Sequence, residues 1–87
     1  MMTIAKKNRN ISGPRILEER QRQGLTRKAL LAKAEVYGLN MSPRTLSLLE
    51  RQNRVVYDKE LIVLSTVLNV SMDWLLGLEE PSEKASP

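Results

Sequence analysis

In the stretch Ser42-Pro43-Arg44-Thr45-Leu46-Ser47-Leu48-Leu49-Glu50-Arg51, a helix would show Arg44, Ser47, Leu48 and Arg51 away from the face that carries Leu46 and Leu49. The polar ones among these, the two arginines and the serine, donate hydrogen bonds, and a guanidinium donates above all to anions. The chemistry on offer is recognition. Catalysis has few carriers, because the chain contains no His and no Cys. That removes the common zinc sites, disulfides and most nucleophilic triads. The carboxylate pairs Glu18-Glu19 and Glu79-Glu80 are adjacent in sequence and read as solvated charges. No enzyme activity, cofactor or metal is expected.

Along the 87 residues, 14 Lys and Arg stand against 10 Asp and Glu, a formal net charge of +4. The distribution is lopsided: residues 1–54 hold twelve basic and four acidic side chains, and residues 55–87 hold two and six. A strongly basic half suits a polyanion, since neutralising phosphates releases condensed counterions. Many small basic proteins bind no nucleic acid, so charge alone leaves the partner open. The length makes one small domain. Phe is absent, and Tyr37, Tyr57 and Trp74 are the only aromatics. Leu, Val, Ile, Met and Ala must build the core, a supply suited to helices, with Trp74 as a packing anchor of the last one. No run approaches the roughly 20 apolar residues of a membrane helix, and the start lacks the apolar stretch of a secretory signal. A cytoplasmic location is expected.

Recognition side chains need elements to hold them. Residues 1–11, with Lys6, Lys7 and Arg9 among Asn8 and Asn10, offer little apolar material and read as a flexible basic arm. A first helix should begin behind Ser12-Gly13 with Pro14 at its first position and stop at Gly24, turning Ile16, Leu17 and the Arg20 stem inward. A second should be capped by Thr26, with Leu25 packing back on Leu30, and run to Gly38. Its stripe is Leu30, Leu31 and Ala34, extended by Val36 or Tyr37.

Ser42 and Pro43 are a cap followed by a proline at the first helical position, opening a third helix to about Gln52 that buries Leu46 and Leu49. Asp58 can cap a fourth, in which Leu61, Leu64, Val67 and Leu68 repeat with helical period up to Asn69. Ser71 can cap a fifth, with Met72, Trp74, Leu75 and Leu76 inward before Gly77. The polar, proline-containing residues 78–87 read as disordered. The expected fold is all-α, a compact five-helix bundle over residues 12–77.

Two short helices joined by a turn, the second opening on a cap and carrying small polar and basic side chains, make the arrangement that lets a helix N-terminus enter the DNA major groove. That groove is about 12 Å wide and admits one helix, and the free N–H groups at helix N-termini favour phosphates. The segments ILEERQRQGLT, LSLLERQ and VLNVSMDWLLG closely resemble the Cro/C1-type (XRE-family) helix-turn-helix proteins, with their lambda-repressor-like fold, over about residues 14–77.

The resemblance implies that Arg20 pairs with Glu50, tying the first helix to the recognition helix. It places the base-contacting positions at Pro43, Arg44, Ser47 and Leu48. Arg44 is the strong reader, able to grip guanine O6 and N7. Pro43 and Leu48 offer apolar contact to thymine methyls, or Leu48 faces a partner or solvent. Phosphate contacts fall to Thr26, Arg27, Arg51, Asn53, Arg54 and Lys59, which fix register without reading sequence. Lys6, Lys7 and Arg9 could reach along the groove as an arm. Between Thr26 and Leu46 the chain is several residues longer than the commonest family pattern, and Gly38-Leu39-Asn40-Met41-Ser42 is similar to the turn of one branch.

These readings point to a sequence-specific binder of double-stranded DNA, a transcriptional repressor in preference to an activator, with no small-molecule effector evident. Family members commonly act as dimers on near-palindromic operators, and a homodimer is expected here from the resemblance alone. The rival from another class is a protein-interaction module such as an antitoxin or adaptor, favoured by an exposed Leu48 and by the acidic C-terminal part.

Overall fold

The computed structural model describes residues 8–78. Within them the chain forms α1 (Gly13–Arg22), α2 (Arg27–Glu35), α3 (Pro43–Glu50), α4 (Asp58–Leu68) and α5 (Met72–Leu75), with no strand among the described residues. None of these helices is long and apolar enough to cross a membrane. The all-α bundle matches the expected fold.

Local chemistry sets the helix starts. Thr26, Ser42 and Ser71 hold extended backbone, and their hydroxyls accept from the N–H groups of Ala29 at 3.0 Å, Thr45 at 3.1 Å and Trp74 at 3.0 Å. Each satisfies a donor that a helix start leaves unpaired. Helix α4 departs from expectation, because the cap position is Tyr57 and Asp58 is already helical. The longer Glu60 side chain, one turn in, reaches back to accept from the Tyr57 N–H at 3.0 Å, a bond the shorter Asp58 side chain is not placed to make.

The helix stops share one device. Gly24, Gly38, Gln52, Asn69 and Gly77 all have positive φ, and each is followed by a residue whose N–H turns back to a carbonyl of the last helical turn. Leu25 donates to Arg20 O at 3.0 Å, Asn53 to Leu48 O at 2.8 Å and Val70 to Ser65 O at 3.0 Å. This left-handed closure ordinarily takes Gly or Asn. Four of the five positions comply, and Gln52, at φ 65, does not.

Ile16, Leu30, Leu46, Leu49, Leu64, Leu68 and Leu75 are fully buried and draw on all five helices. Leu25, Leu39 and Met41 pack against them from the connections, so the long α2–α3 segment is part of the fold rather than a loose insertion. Three expectations about the core need correction. Val36 and Tyr37 are exposed, because α2 stops at Glu35 and the turn to Gly38 takes both side chains off the inner stripe. Met72 faces outward. Trp74 is only partly buried; Leu75 is the anchor of the last helix, while the Arg15 guanidinium sits 5.0 Å from the centroid of the Trp74 ring.

The segment expected to be flexible through residue 11 is docked from Asn8 onward. The Asn10 amide donates to Leu49 O at 2.9 Å and to Arg54 O at 2.6 Å, and its oxygen accepts from the Gly13 N–H at 2.7 Å. A helix end leaves carbonyls without intrahelical partners, and two asparagines and a glutamine can supply what it lacks. Gly13 is required where it stands, since a Cβ there would collide with the Leu49 carbonyl at the end of α3. Lys6, Lys7 and the tail from Glu79 lie outside the described residues.

Candidate nucleic-acid interface

Helix α3 presents two chemically distinct sides. Inward go Leu46, Leu49 and Glu50, all buried. Outward, on a stripe set by helical period, go Pro43, Arg44, Ser47, Leu48 and Arg51. Pro43, Arg44 and Arg51 are exposed, whereas Ser47 and Leu48 are half-buried. Leu48 is thus less available than expected, both to a partner protein and to a thymine methyl. Arg51 holds a long 3.4 Å contact from Nε to Ser47 O at the helix end.

The inner side fixes how that stripe is aimed. Arg20 donates through Nε to Glu50 Oε2 at 2.7 Å and through Nη2 to Oε1 at 3.3 Å, while its Nη1 reaches Leu25 O at 2.7 Å. The expected pair is present, and it has a third member. Arg27, at the first position of α2, donates through Nε to Glu50 Oε1 at 2.9 Å. One buried carboxylate therefore ties α1, α2 and α3 together. No buried side-chain polar atom among the described residues lacks a partner, so this polar cluster is fully satisfied.

Arg27 and Arg54 were both expected on phosphates, and both are engaged internally. Arg27 remains part-exposed at the start of α2 while one of its donors is held by Glu50. Arg54 is committed further: Nη1 and Nη2 each lie 2.8 Å from one carboxylate oxygen of Glu60, and Nη1 also reaches Val55 O at 3.0 Å. Burial alone would push the Glu60 carboxyl up, but the Arg54 fork and the Tyr57 N–H outweigh it and hold the group below its ordinary value. The bond to Glu60 raises Arg54 in turn. With its charge matched, Arg54 is a strut of the α3–α4 loop. Its guanidinium also lies 5.5 Å from the centroid of the Tyr57 ring.

Thr26, Asn53 and Lys59 are exposed, as are Lys28 in the first turn of α2 and Arg9 in the docked N-terminal segment. Arg9 donates its backbone N–H to Gln52 O at 2.9 Å, which places it against the loop that follows α3. The charged groups thus gather at the start of α2, along α3 and at the α3–α4 loop. A cleft of about 310 Å³ opens beside the α2–α3 connection, lined by Lys28, Leu31, Glu35, Leu39, Met41 and Pro43 among others.

Sequence reasoning missed Asn10, Gln52 and Glu60. The clue for Gln52 is a vacancy in a pattern: the other helix ends carry Gly or Asn where this one carries a long amide.

No protein-family model matches the chain, and no solved structure matches it significantly. It is similar to the HTH-type transcriptional regulator ImmR of Bacillus subtilis (strain 168), with 40% identity over 72 residues, which cover 83% of this chain and 53% of that protein. The chain spans about half the length of this curated relative. With that likeness, the buried Arg20–Glu50 pair and the capped α2-turn-α3 unit, the chain belongs to the Cro/C1-type (XRE-family) helix-turn-helix proteins.

Proposed function

We propose that this chain is a DNA-binding transcriptional regulator whose unit of binding is residues 12–77, with α3 seated in the major groove. The observation that carries the reading is the two-sided α3: Arg44 stands on a solvent-facing stripe while Glu50, on the opposite side, is pinned by Arg20 and Arg27. A reading helix must be presented rigidly, because a bidentate contact to guanine tolerates little misplacement. Arg44 reads a base, Pro43 offers apolar contact, and Ser47 and Leu48 flank them. Thr26, Arg27, Lys59, Asn53 and Arg51 lie along phosphates, and Lys28 joins them. Arg54 acts through the loop it braces.

A relative whose name is that of a transcriptional regulator supports the same class for this chain. Repression follows from simple occupancy of an operator, which needs no surface beyond the one that binds DNA. A homodimer would place two α3 helices in successive major grooves about 34–36 Å apart. The decisive experiment is selection of bound sequences from a random duplex pool, followed by titration of the selected site. Enrichment of a half-site repeated at one helical turn is expected. Recovery of no enriched sequence, with no retardation of mixed genomic fragments at low salt, would refute the reading.

A further inference from the structure

Of the five left-handed helix ends among the described residues, only the one that closes α3 carries a long side chain, and the amide nitrogen of that side chain makes two hydrogen bonds. Gln52 Nε2 donates to Asn8 Oδ1 at 2.9 Å and to Asn10 O at 2.9 Å, and Gln52 O accepts from the Arg9 N–H at 2.9 Å. Asn10 completes the closure through Leu49 O, Arg54 O and the Gly13 N–H. Glycine would end α3 without backbone strain, as Gly24, Gly38 and Gly77 end their helices. A strained position held by a residue that uses its side chain elsewhere points to a role for that side chain.

We propose that Gln52 and Asn10 form a latch that positions the α3–α4 loop and Arg9 for contact with a DNA phosphate backbone, which makes both of them positioning residues. The inference rests on the DNA-binding reading above. Gln52 fastens the loop of residues 51–54 near its start, Asn10 ties Leu49 O before the loop to Arg54 O at its end, and the Arg54–Glu60 fork holds that same end. On either side of Gln52 stand the exposed side chains of Arg51 and Asn53. The Arg9 backbone lies against Gln52, so that two exposed cations 42 residues apart in sequence, Arg9 and Arg51, share one edge beside the end of α3. A phosphate contact made by a preordered cation costs less ordering entropy than one made by a free arm.

The test is made on the full chain with a fluorescein-labelled mixed-sequence duplex, titrated by anisotropy across a potassium chloride series well below every melting temperature. Gln52→Gly keeps the left-handed closure, and its circular dichroism is expected to match the parent. Its affinity should fall several-fold, and the slope of log K against log salt should become shallower by about one to two, the loss of one or two phosphate contacts. Arg51→Ala and Arg9→Ala should each lower the slope by about one in the parent. Arg9→Ala should have a smaller effect once Gln52 is glycine, because the side-chain bonds to Asn8 and Asn10 on either side of Arg9 are then lost and only its backbone bond to residue 52 remains. A parent that binds duplex while Gln52→Gly binds with unchanged affinity and slope would make the latch a purely structural clasp and overturn the inference alone. A parent that binds no duplex at low salt would overturn the DNA-binding reading and the latch with it.

Discussion

Arg20 and Glu50 stand thirty residues apart in sequence and meet at 2.7 Å, with the Glu50 side chain completely shielded from solvent and the Arg20 side chain nearly so. Their contact joins the last turn of α1 to the last turn of α3, and Arg27 closes on the same carboxylate from the start of α2. Such a cluster contributes more to geometry than to net stability, because the attraction must first offset the desolvation of each charge. Its removal is costly in one direction only. Glu50→Ala leaves Arg20 without its anion in a buried site, and a loss of about 3–5 kcal/mol in urea denaturation is expected. A loss under about 1 kcal/mol, the scale of an exposed pair, would mean that water reaches the site.

The apolar counterpart of that prediction lies at the other end of the bundle. Leu75 is fully buried while its neighbour Trp74 is only partly so. Leu75→Ala should therefore cost about 2–5 kcal/mol by leaving a cavity among α1, α4 and α5. Trp74→Ala should cost less than Leu75→Ala despite the larger side chain removed. It loses the Arg15 ring contact but keeps the Arg15 Nη1 bond at 2.8 Å, which is made to the Trp74 carbonyl. Thermal melts of the two variants give the order directly, and the reverse order would contradict the packing described.

Acid should loosen the fold through two glutamates. Glu19 is held below its ordinary value of 4.5 by the Arg22 hydrogen bonds, helped by Gln23 and opposed by burial. Glu60 is lowered likewise, with burial overcome by Arg54 and the Tyr57 N–H. A carboxyl depressed in the folded state binds its proton more readily when unfolded. Its contribution is complete above the unfolded value and is lost as pH falls through the folded one. Stability should thus decline from about pH 5 downward, and Glu19→Gln and Glu60→Gln should each flatten that decline. Denaturant midpoints measured across this range test it, and parallel curves for parent and variants would remove both groups from the acid response.

The features legible before folding were those encoded by neighbours in sequence. Thr26, Ser42-Pro43 and Ser71 announce helix starts because a hydroxyl need reach only three residues ahead. The Arg20–Glu50 pair is far apart in sequence and was legible only through resemblance. Local pattern also misleads where a turn intervenes: Val36 and Tyr37 continue the helical period of α2 on paper but follow its last residue, Glu35. Asp58 looks like a cap, yet the longer Glu60 one turn in does the capping. Arg54 counts as a free cation until the loop brings it against Glu60, and Asn10 becomes a staple only when α1 and α3 are side by side. These depend on the path of a loop, which composition and spacing do not carry.

That distinction separates three arginines that look alike in sequence. Arg44 is exposed on the outward stripe of α3, Arg51 is exposed at the end of α3, and Arg54 is neutralised by Glu60. On a selected operator, Arg44→Ala should weaken binding and relax preference at one base pair, at a cost of about 1–3 kcal/mol in discrimination. Arg51→Ala should weaken all duplexes alike and lower the salt slope by about one. Arg54→Ala should reduce the melting temperature by freeing the loop from α4 and should lower the slope by less than Arg51→Ala does, because its own charge is already matched within the fold and it acts on binding only through the loop it braces. An Arg54→Ala slope as shallow as that of Arg51→Ala would show that Arg54 leaves Glu60 for a phosphate on binding, and the loop would then have to rearrange on DNA.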